Sequence, residues 1–181
     1  MSPPDFQFHF SAGLLGKIAV PFLLALGIPL AVHAGIKAGD AFPSLHSATL
    51  VDGKIPDLTN RVALVDFWAS WCAPCKDSFP AYSQLHGDFA SRGLVVLAIS
   101  VDQNPIAFSA FVKRMTPSFL TLRDKDQQLV REVDISVMPS CYLIGRDGRV
   151  RYVHQGFHGA ATERELRREL DALLAEPSPA S

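Results

Sequence analysis

Cysteine is scarce. Three occur in 181 residues, Cys72, Cys75 and Cys141. That is too few for a fold stapled by disulfides, and a chain of this length can bury a core without staples. Charge of one sign is also missing. Lys and Arg total 17 against 18 Asp and Glu, a formal net charge of −1. With no basic stripe and no charge block, nothing in the sequence invites nucleic acid or an anionic surface. Internal repeats are absent, and so is a zinc ligand set. Cys141 stands alone, and His154 and His158 fall on either side of Gly156, far from the cysteine pair. A closed zinc site needs four ligands, so structural zinc is disfavoured. No cysteine lies near the end of the N-terminal apolar run, which excludes bacterial-type lipidation.

What is present begins with that run, "IAVPFLLALGIPLAVHA", Ile18 to Ala34. Pro21, Gly27 and Pro29 argue against a buried core helix. Val32-His33-Ala34 offers a small-residue cleavage pattern before Gly35. The competing reading is a retained single membrane anchor, because 19 uncharged residues separate Lys17 from Lys37 and a span takes about 20. Either way the domain that follows is expected outside the cytoplasm, periplasmic or anchored to the inner membrane, where disulfides persist. The expected organisation is signal peptide or anchor over 1–37, one domain over 38–175, and a frayed tail over 176–181.

Along that domain, "TLVDGKIPDL" reads as a small hairpin turning at Asp52-Gly53. "RVALVDFW" (Arg61 to Trp68) and "LVVLAIS" (Leu94 to Ser100) are continuous apolar runs, read as buried strands. A helix is expected from near Cys72 to Arg92. Its apolar face carries Phe79, Tyr82, Leu85 and Phe89, Pro80 is expected to kink it, and Gly93 is its stop. Asn104-Pro105 should cap a second helix, with Phe108, Phe111, Val112 and Met115 on its apolar side. "FLTL" reads as a strand, and residues 127–133 as a helical turn. "SCYLIG" and "RVRYVHQ" form a hairpin through Asp147-Gly148. Thr162 and Glu165 form a capping box for a last helix. The order describes an α/β domain, a mixed sheet with helices on both sides.

Three chemistries compete for "WCAPC". Zinc lacks ligands. A structural disulfide between residues three apart closes too small a loop to remove much unfolded-state entropy. Redox exchange fits best. A helix N-terminus presents free backbone N–H groups and a favourable dipole to a thiolate. Thiols of Cys-X-X-Cys pairs so placed titrate at about 3.5–7.5 rather than about 8.5. Cys72 is expected to be exposed and to attack a partner's disulfide. Cys75, one turn deeper, then resolves the mixed disulfide.

The segment "VDFWASWCAPCK" resembles the active site of thioredoxins, and "FWASWCAPC" is similar to the exported TlpA/ResA-type branch. Pro80, Val137-Met138-Pro139 and "YLIGRDGRV" (Tyr142 to Val150) extend the resemblance over Gly39 to Leu174. It implies a thioredoxin fold with an N-terminal hairpin extension and a central helix-strand insert, for which Asn104 to Leu122 is the candidate. It implies that Met138-Pro139 is a cis-proline loop facing the cysteines and receiving an extended substrate segment, and that Trp71 covers the disulfide. Asp66, six residues before Cys72, takes the place of the proton acceptor for the second cysteine. Such a carboxyl, buried in an apolar strand, should titrate high.

The sequence departs from the branch in two places. Ser78 stands where a glutamate is usual, with Asp77 beside it, and Asp66 stands where a neutral residue is usual. Thioredoxin's lysine on the next strand aligns with Ala98, leaving Asp66 without a cation. Cys141 reads as an inert core thiol.

The resemblance implies a thiol-disulfide oxidoreductase, most often a reductant, with no organic cofactor. Expected partners are disulfide-bearing client proteins, such as those of cytochrome c or copper-site maturation, and a membrane electron donor. A monomer is expected. A peroxidase of the peroxiredoxin type is disfavoured, since Ala69 replaces its threonine. A copper chaperone using Cys72 and Cys75 as soft ligands is the alternative.

Overall fold

The structure, a computed structural model, describes residues 35–45 and 50–178. The apolar run and its expected cleavage or anchoring, most of the 1–37 segment, His46 and the last three residues of the tail lie outside the described residues. Among the described residues no helix is long and apolar enough to cross a membrane.

Among the described residues six strands form one mixed sheet. β1 is Leu50–Val51, β2 Val62–Trp68, β3 Leu94–Ser100, β4 Leu120–Asp124, β5 Ser140–Ile144 and β6 Val150–Gln155. Their order is β1-β4-β3-β2-β5-β6. β2 lies parallel to β3 and antiparallel to β5, and β3 runs parallel to β4. The continuous apolar runs therefore become the central strands, covered on both faces. All seven residues of β2 are buried.

Alternation along β2 divides the core. Val62, Leu64 and Trp68 join a cluster with helices α1 (Ala73–Phe89), α2 (Pro105–Met115) and α4 (Ala160–Ala175). Ala63, Val65 and Phe67 join a second cluster with Leu129 and Val133 of α3 (Gln128–Val133). Asp66, in register with its even-numbered neighbours, lies on the face of α1.

The periodic apolar face of α1 is buried at Phe79, Tyr82, Leu85 and Phe89, and Pro80 lies inside the helix. A 3-10 turn over Ala90–Arg92 follows, and Gly93 ends it at φ 104°. Asn104 caps α2 as its residue type predicts, its Oδ1 accepting from Ile106 N at 2.9 Å and Ala107 N at 3.4 Å.

The helix-strand insert, α2 with β4, places aromatic rings over the active-site helix. Phe111 lies 4.4 Å from Trp68 and 5.1 Å from Phe79 between ring centroids. Phe119 lies 5.3 Å from Phe79 and 6.4 Å from Tyr82.

Two local expectations are corrected. Asp52-Gly53 does not join a two-stranded hairpin. Residues 54–58 form no strand, and Leu50–Val51 instead adds antiparallel to the open edge of β4. Gly53 is needed because the chain there passes close over that strand: a Cβ would meet Leu122 Cδ2 at 2.9 Å and the Thr121 carbonyl oxygen at 3.1 Å. Nor does Thr162 cap the last helix. α4 starts at Ala160, preceded by Gly159 at φ 61°, and the buried Thr162 hydroxyl accepts from the His158 backbone N–H at 3.0 Å.

Before β1, residues 39–42 run beside β6 and its turn. Gly39 N donates to the Val150 carbonyl (2.8 Å), Val150 N to the Asp40 carbonyl (2.9 Å) and Phe42 N to the Gly148 carbonyl (3.0 Å).

Candidate active site

Strand β2 ends at Trp68, and the chain turns through Ala69, Ser70 and Trp71 into α1. Cys72 occupies the helix N-cap with extended backbone (φ −79°, ψ 111°), and a proline, Pro74, falls in the first turn. The Cys75 backbone N–H donates to Cys72 Sγ at 3.2 Å. Sulfur thus stands where an N-cap oxygen normally does, meeting one of the free N–H groups at the positive end of the helix. Cys72 and Cys75 are joined as a disulfide, with Cα atoms 5.4 Å apart.

The expected exposure of Cys72 is corrected. Only 5% of its surface is accessible in the disulfide-bonded protein, where it lies in the core cluster with Cys75, itself 0% accessible. Trp71 carries the exposed surface beside the pair, at 69%. Val137, next to the Met138–Pro139 loop, is 44% exposed, and Ile106, in the first turn of α2, is 77% exposed.

The Met138–Pro139 peptide bond is cis. Its loop is fixed at both ends: Ser140 Oγ donates to the Val137 carbonyl at 2.6 Å, and Gly156 N donates to the Pro139 carbonyl at 2.7 Å. β5 then pairs with β2, Ser140 opposite Phe67. Met138 is partly buried against the core cluster that contains both Cys72 and Cys75.

Asp66 is fully buried. Burial drives its carboxyl well above the ordinary carboxylate range, opposed by the hydrogen bond from Tyr82. Tyr82 Oη donates to Asp66 Oδ1 at 3.1 Å, while Oδ2 has no hydrogen-bond partner. Asp66 pairs in register with Ala98 on β3 and with Cys141 on β5. The alignment that leaves Asp66 without a lysine is thus reproduced by strand register. Ser78, where the glutamate of related proteins stands, is fully buried, its hydroxyl donating to the Cys75 carbonyl at 3.1 Å. Cys141 is a buried free thiol, pushed well above its usual range chiefly by burial.

Sequence reasoning missed Asp102. Its buried carboxylate accepts from Ser70 N (2.9 Å), Ser70 Oγ (2.9 Å) and Ser100 Oγ (2.8 Å), fastening the loop that leads to Cys72. It also missed the hydroxyl of Tyr82, which counted only as part of an apolar face. His154 lies away from the cysteines in sequence and binds Glu169 of α4 through Nε2 at 2.7 Å. Among the described residues no three His, Cys, Asp or Glu side chains gather as metal ligands.

Fold and site together define a thioredoxin-fold protein whose Cys-X-X-Cys pair is placed for dithiol–disulfide exchange. A family model extends the assignment: residues 38–153 match the AhpC/TSA family, and the chain belongs to it. It is 32% identical over 103 residues to the thiol-disulfide oxidoreductase ResA of Bacillus subtilis strain 168. That alignment covers 57% of this chain and 58% of that relative's own length. ResA of Bacillus cereus ATCC 10987 is 24% identical over 169 residues, covering 88% of this chain and 96% of the relative. Among solved structures, a Chlorobium tepidum protein assigned as thiol:disulfide interchange protein DsbE superposes with a TM-score of 0.71 at 30% identity. It covers 78% of this chain and 100% of that one. StoA of Bacillus subtilis shares the fold, with a TM-score of 0.54 at 22% identity over 60% of this chain and 84% of its own.

Proposed function

We propose that the chain is an exported thiol-disulfide oxidoreductase that reduces disulfides in client proteins. One observation carries the reading: Cys72 Sγ accepts the Cys75 N–H at the mouth of α1. This environment stabilises a thiolate on the more accessible sulfur. In the reduced protein Cys72 attacks a client disulfide, forming a mixed disulfide. Cys75 attacks Cys72 Sγ, the client leaves as a dithiol, and the Cys72–Cys75 disulfide remains. Asp66 takes the Cys75 proton. Trp71 and the Met138–Pro139 loop receive the client, its segment lying extended against the backbone of Met138 in the manner of an added strand. The exposure of Trp71, next to Cys72 in the chain, and of Val137, next to Met138, supports this placement.

Export rests on the apolar run from Ile18, and re-reduction falls to a membrane electron donor. Cytochrome c and copper-site maturation supply clients of the required kind, proteins whose paired cysteines must be kept reduced. Direction is tested by the reduction potential of the Cys72–Cys75 couple in the full chain. A value near about −270 mV marks a reductant and one near about −120 mV an oxidant. Client capture is tested with Cys75→Ala, which should hold clients on Cys72 as mixed disulfides. A chain that binds stoichiometric copper yet traps no client and reduces no disulfide would overturn the reading. Carbonate extraction of membranes tests the anchor.

A further inference from the structure

Three residues of α1 recur at i, i+3 and i+7: Cys75, Ser78 and Tyr82, all buried. Positions so spaced share one helix face, and helical side chains lean toward the helix N-terminus. The Tyr82 ring therefore reaches back along α1 toward the turn of Cys75. Its hydroxyl meets Asp66 Oδ1 of β2 at 3.1 Å. The Ser78 hydroxyl donates to the Cys75 carbonyl at 3.1 Å. Tyr82 thus ties the Asp66 carboxyl of β2 to the helix face that also carries Cys75 and Ser78. Edge-on rings fix Tyr82 from two sides, Phe119 at 6.4 Å and Phe157 at 6.2 Å.

We propose that Tyr82 is a positioning residue that holds Asp66 by Oδ1, leaving the buried, unpartnered Oδ2 to accept the proton that Cys75 loses in the resolving step. The inference rests on the oxidoreductase reading and adds a residue to it. The proton balance closes. Cys75–SH and Asp66–COO⁻ become Cys75–S⁻ and Asp66–COOH. The thiolate attacks Cys72 Sγ, the Cys72–client S–S bond breaks, and the client sulfur leaves with the electron pair. When a donor later reduces the Cys72–Cys75 disulfide, the thiolate released at Cys75 takes its proton back from Asp66.

The groups facing Asp66 are few. β3 offers only Ala98 and β5 the Cys141 thiol, while α1 brings Tyr82. Beyond Cys141, in register on β6, stands His154, already bound to Glu169 of α4. No cation touches the carboxyl among the described residues. Tyr82 is therefore its one hydrogen-bond donor there. A donor to a carboxylate favours the ionised form, which is the form that can receive a proton.

The test is Tyr82→Phe, which keeps the ring and removes only the hydroxyl. The Asp66 carboxyl is followed with pH by carbon NMR in the full reduced chain, its resonance assigned with Asp66→Asn. Its midpoint should rise by about one to two pH units, the worth of one charge-assisted hydrogen bond. The acid limb of the single-turnover resolving rate should move with it, slowing turnover about tenfold per unit on that limb. Tyr82→Phe should change nothing further in the Asp66→Asn background. An unmoved midpoint overturns the inference, as does a rate loss that persists in that background, because a merely structural role would persist there. Absence of any disulfide exchange in the unmutated chain overturns the oxidoreductase reading and the proton transfer with it. The carboxyl titration still decides whether Tyr82 holds Asp66, since it needs no client.

Discussion

Asp102 holds Ser70 twice: the backbone N–H of Ser70 donates to Oδ2 and its hydroxyl to Oδ1, each at 2.9 Å. The two residues are 32 positions apart in the chain. The bond pair joins the end of β3 to the turn two residues before Cys72. Ser100 Oγ donates to the same carboxylate at 2.8 Å, and Asp102 N donates back to Ser100 Oγ at 3.0 Å.

Asp102→Ala should therefore loosen the turn that sets Cys72. Removing a buried carboxylate that accepts three bonds strands its donors, at a cost of about 2–3 kcal/mol. The expected result is an earlier urea midpoint and a severalfold slower exchange rate. Asp102→Asn should fall between the two, since an amide oxygen can keep one of the Ser70 bonds. Equal unfolding midpoints for Asp102→Ala and the unmutated chain would show that the clamp contributes nothing.

Asp66 gives a signed pH dependence. Burial holds its folded-state pKa well above the ordinary value, whereas the unfolded chain titrates near about 3.9. Between these two values the native state binds a proton that the unfolded state has released. Stability contributed by this group thus falls as pH rises above about 4, and stops falling only beyond the folded pKa. Asp66→Asn removes the effect. The stability advantage of the variant over the parent should grow as pH rises above about 4. Urea unfolding at intervals across that range checks it, and an advantage that stays constant or shrinks refutes the assignment.

Much of the site is legible in sequence because it is local. Cys72 and Cys75 declare a helix start by their spacing and by Pro74. Asp66 stands out as the single carboxylate in an otherwise apolar strand. Asn104-Pro105 specifies a cap that forms as read. What escapes is what depends on distant partners. Asp102 reads as an ordinary turn residue until β3 brings it to Ser70. The ring of Tyr82 fits the apolar face of α1, so the period accounts for it, and only the packing of α1 on β2 gives its hydroxyl a partner. Asp52-Gly53 has the local signature of a hairpin, yet the choice of strand partner is made by the free edge of β4. Thr162 and Glu165 match a capping box, but Gly159 at φ 61° has already turned the chain into α4.

Cys141 should be chemically silent in the folded protein. Its thiol is buried, and burial keeps it protonated well above its usual range. The thiolate is the reactive form, so an alkylating reagent should find Cys72 first in the reduced native chain. Cys141 should be modified only at the rate of unfolding. In the oxidised native chain no cysteine should react, and one should react after denaturation without reductant. Mass spectrometry of the alkylated protein counts these events. Rapid native labelling of Cys141 would contradict its placement.

The insert is expected to protect the dithiol as well as the core. Phe111 of α2 packs on Trp68 and Phe79, with centroids at 4.4 and 5.1 Å. Phe79 is the residue that follows Ser78 on the active-site helix. Truncating a buried phenylalanine removes its transfer free energy and leaves a cavity, together about 3–5 kcal/mol. Phe111→Ala should lower the urea midpoint by a corresponding amount and alter the fluorescence of buried Trp68. It should also let water nearer the fully buried Cys75, so that in the reduced chain this thiol is alkylated faster than in the parent. Ile106→Ala serves as the comparison, because Ile106 lies on the same helix and is 77% exposed. Its stability should stay within about 0.5 kcal/mol of the parent. If the two substitutions destabilise the chain equally, the insert is not packed as the ring geometry describes.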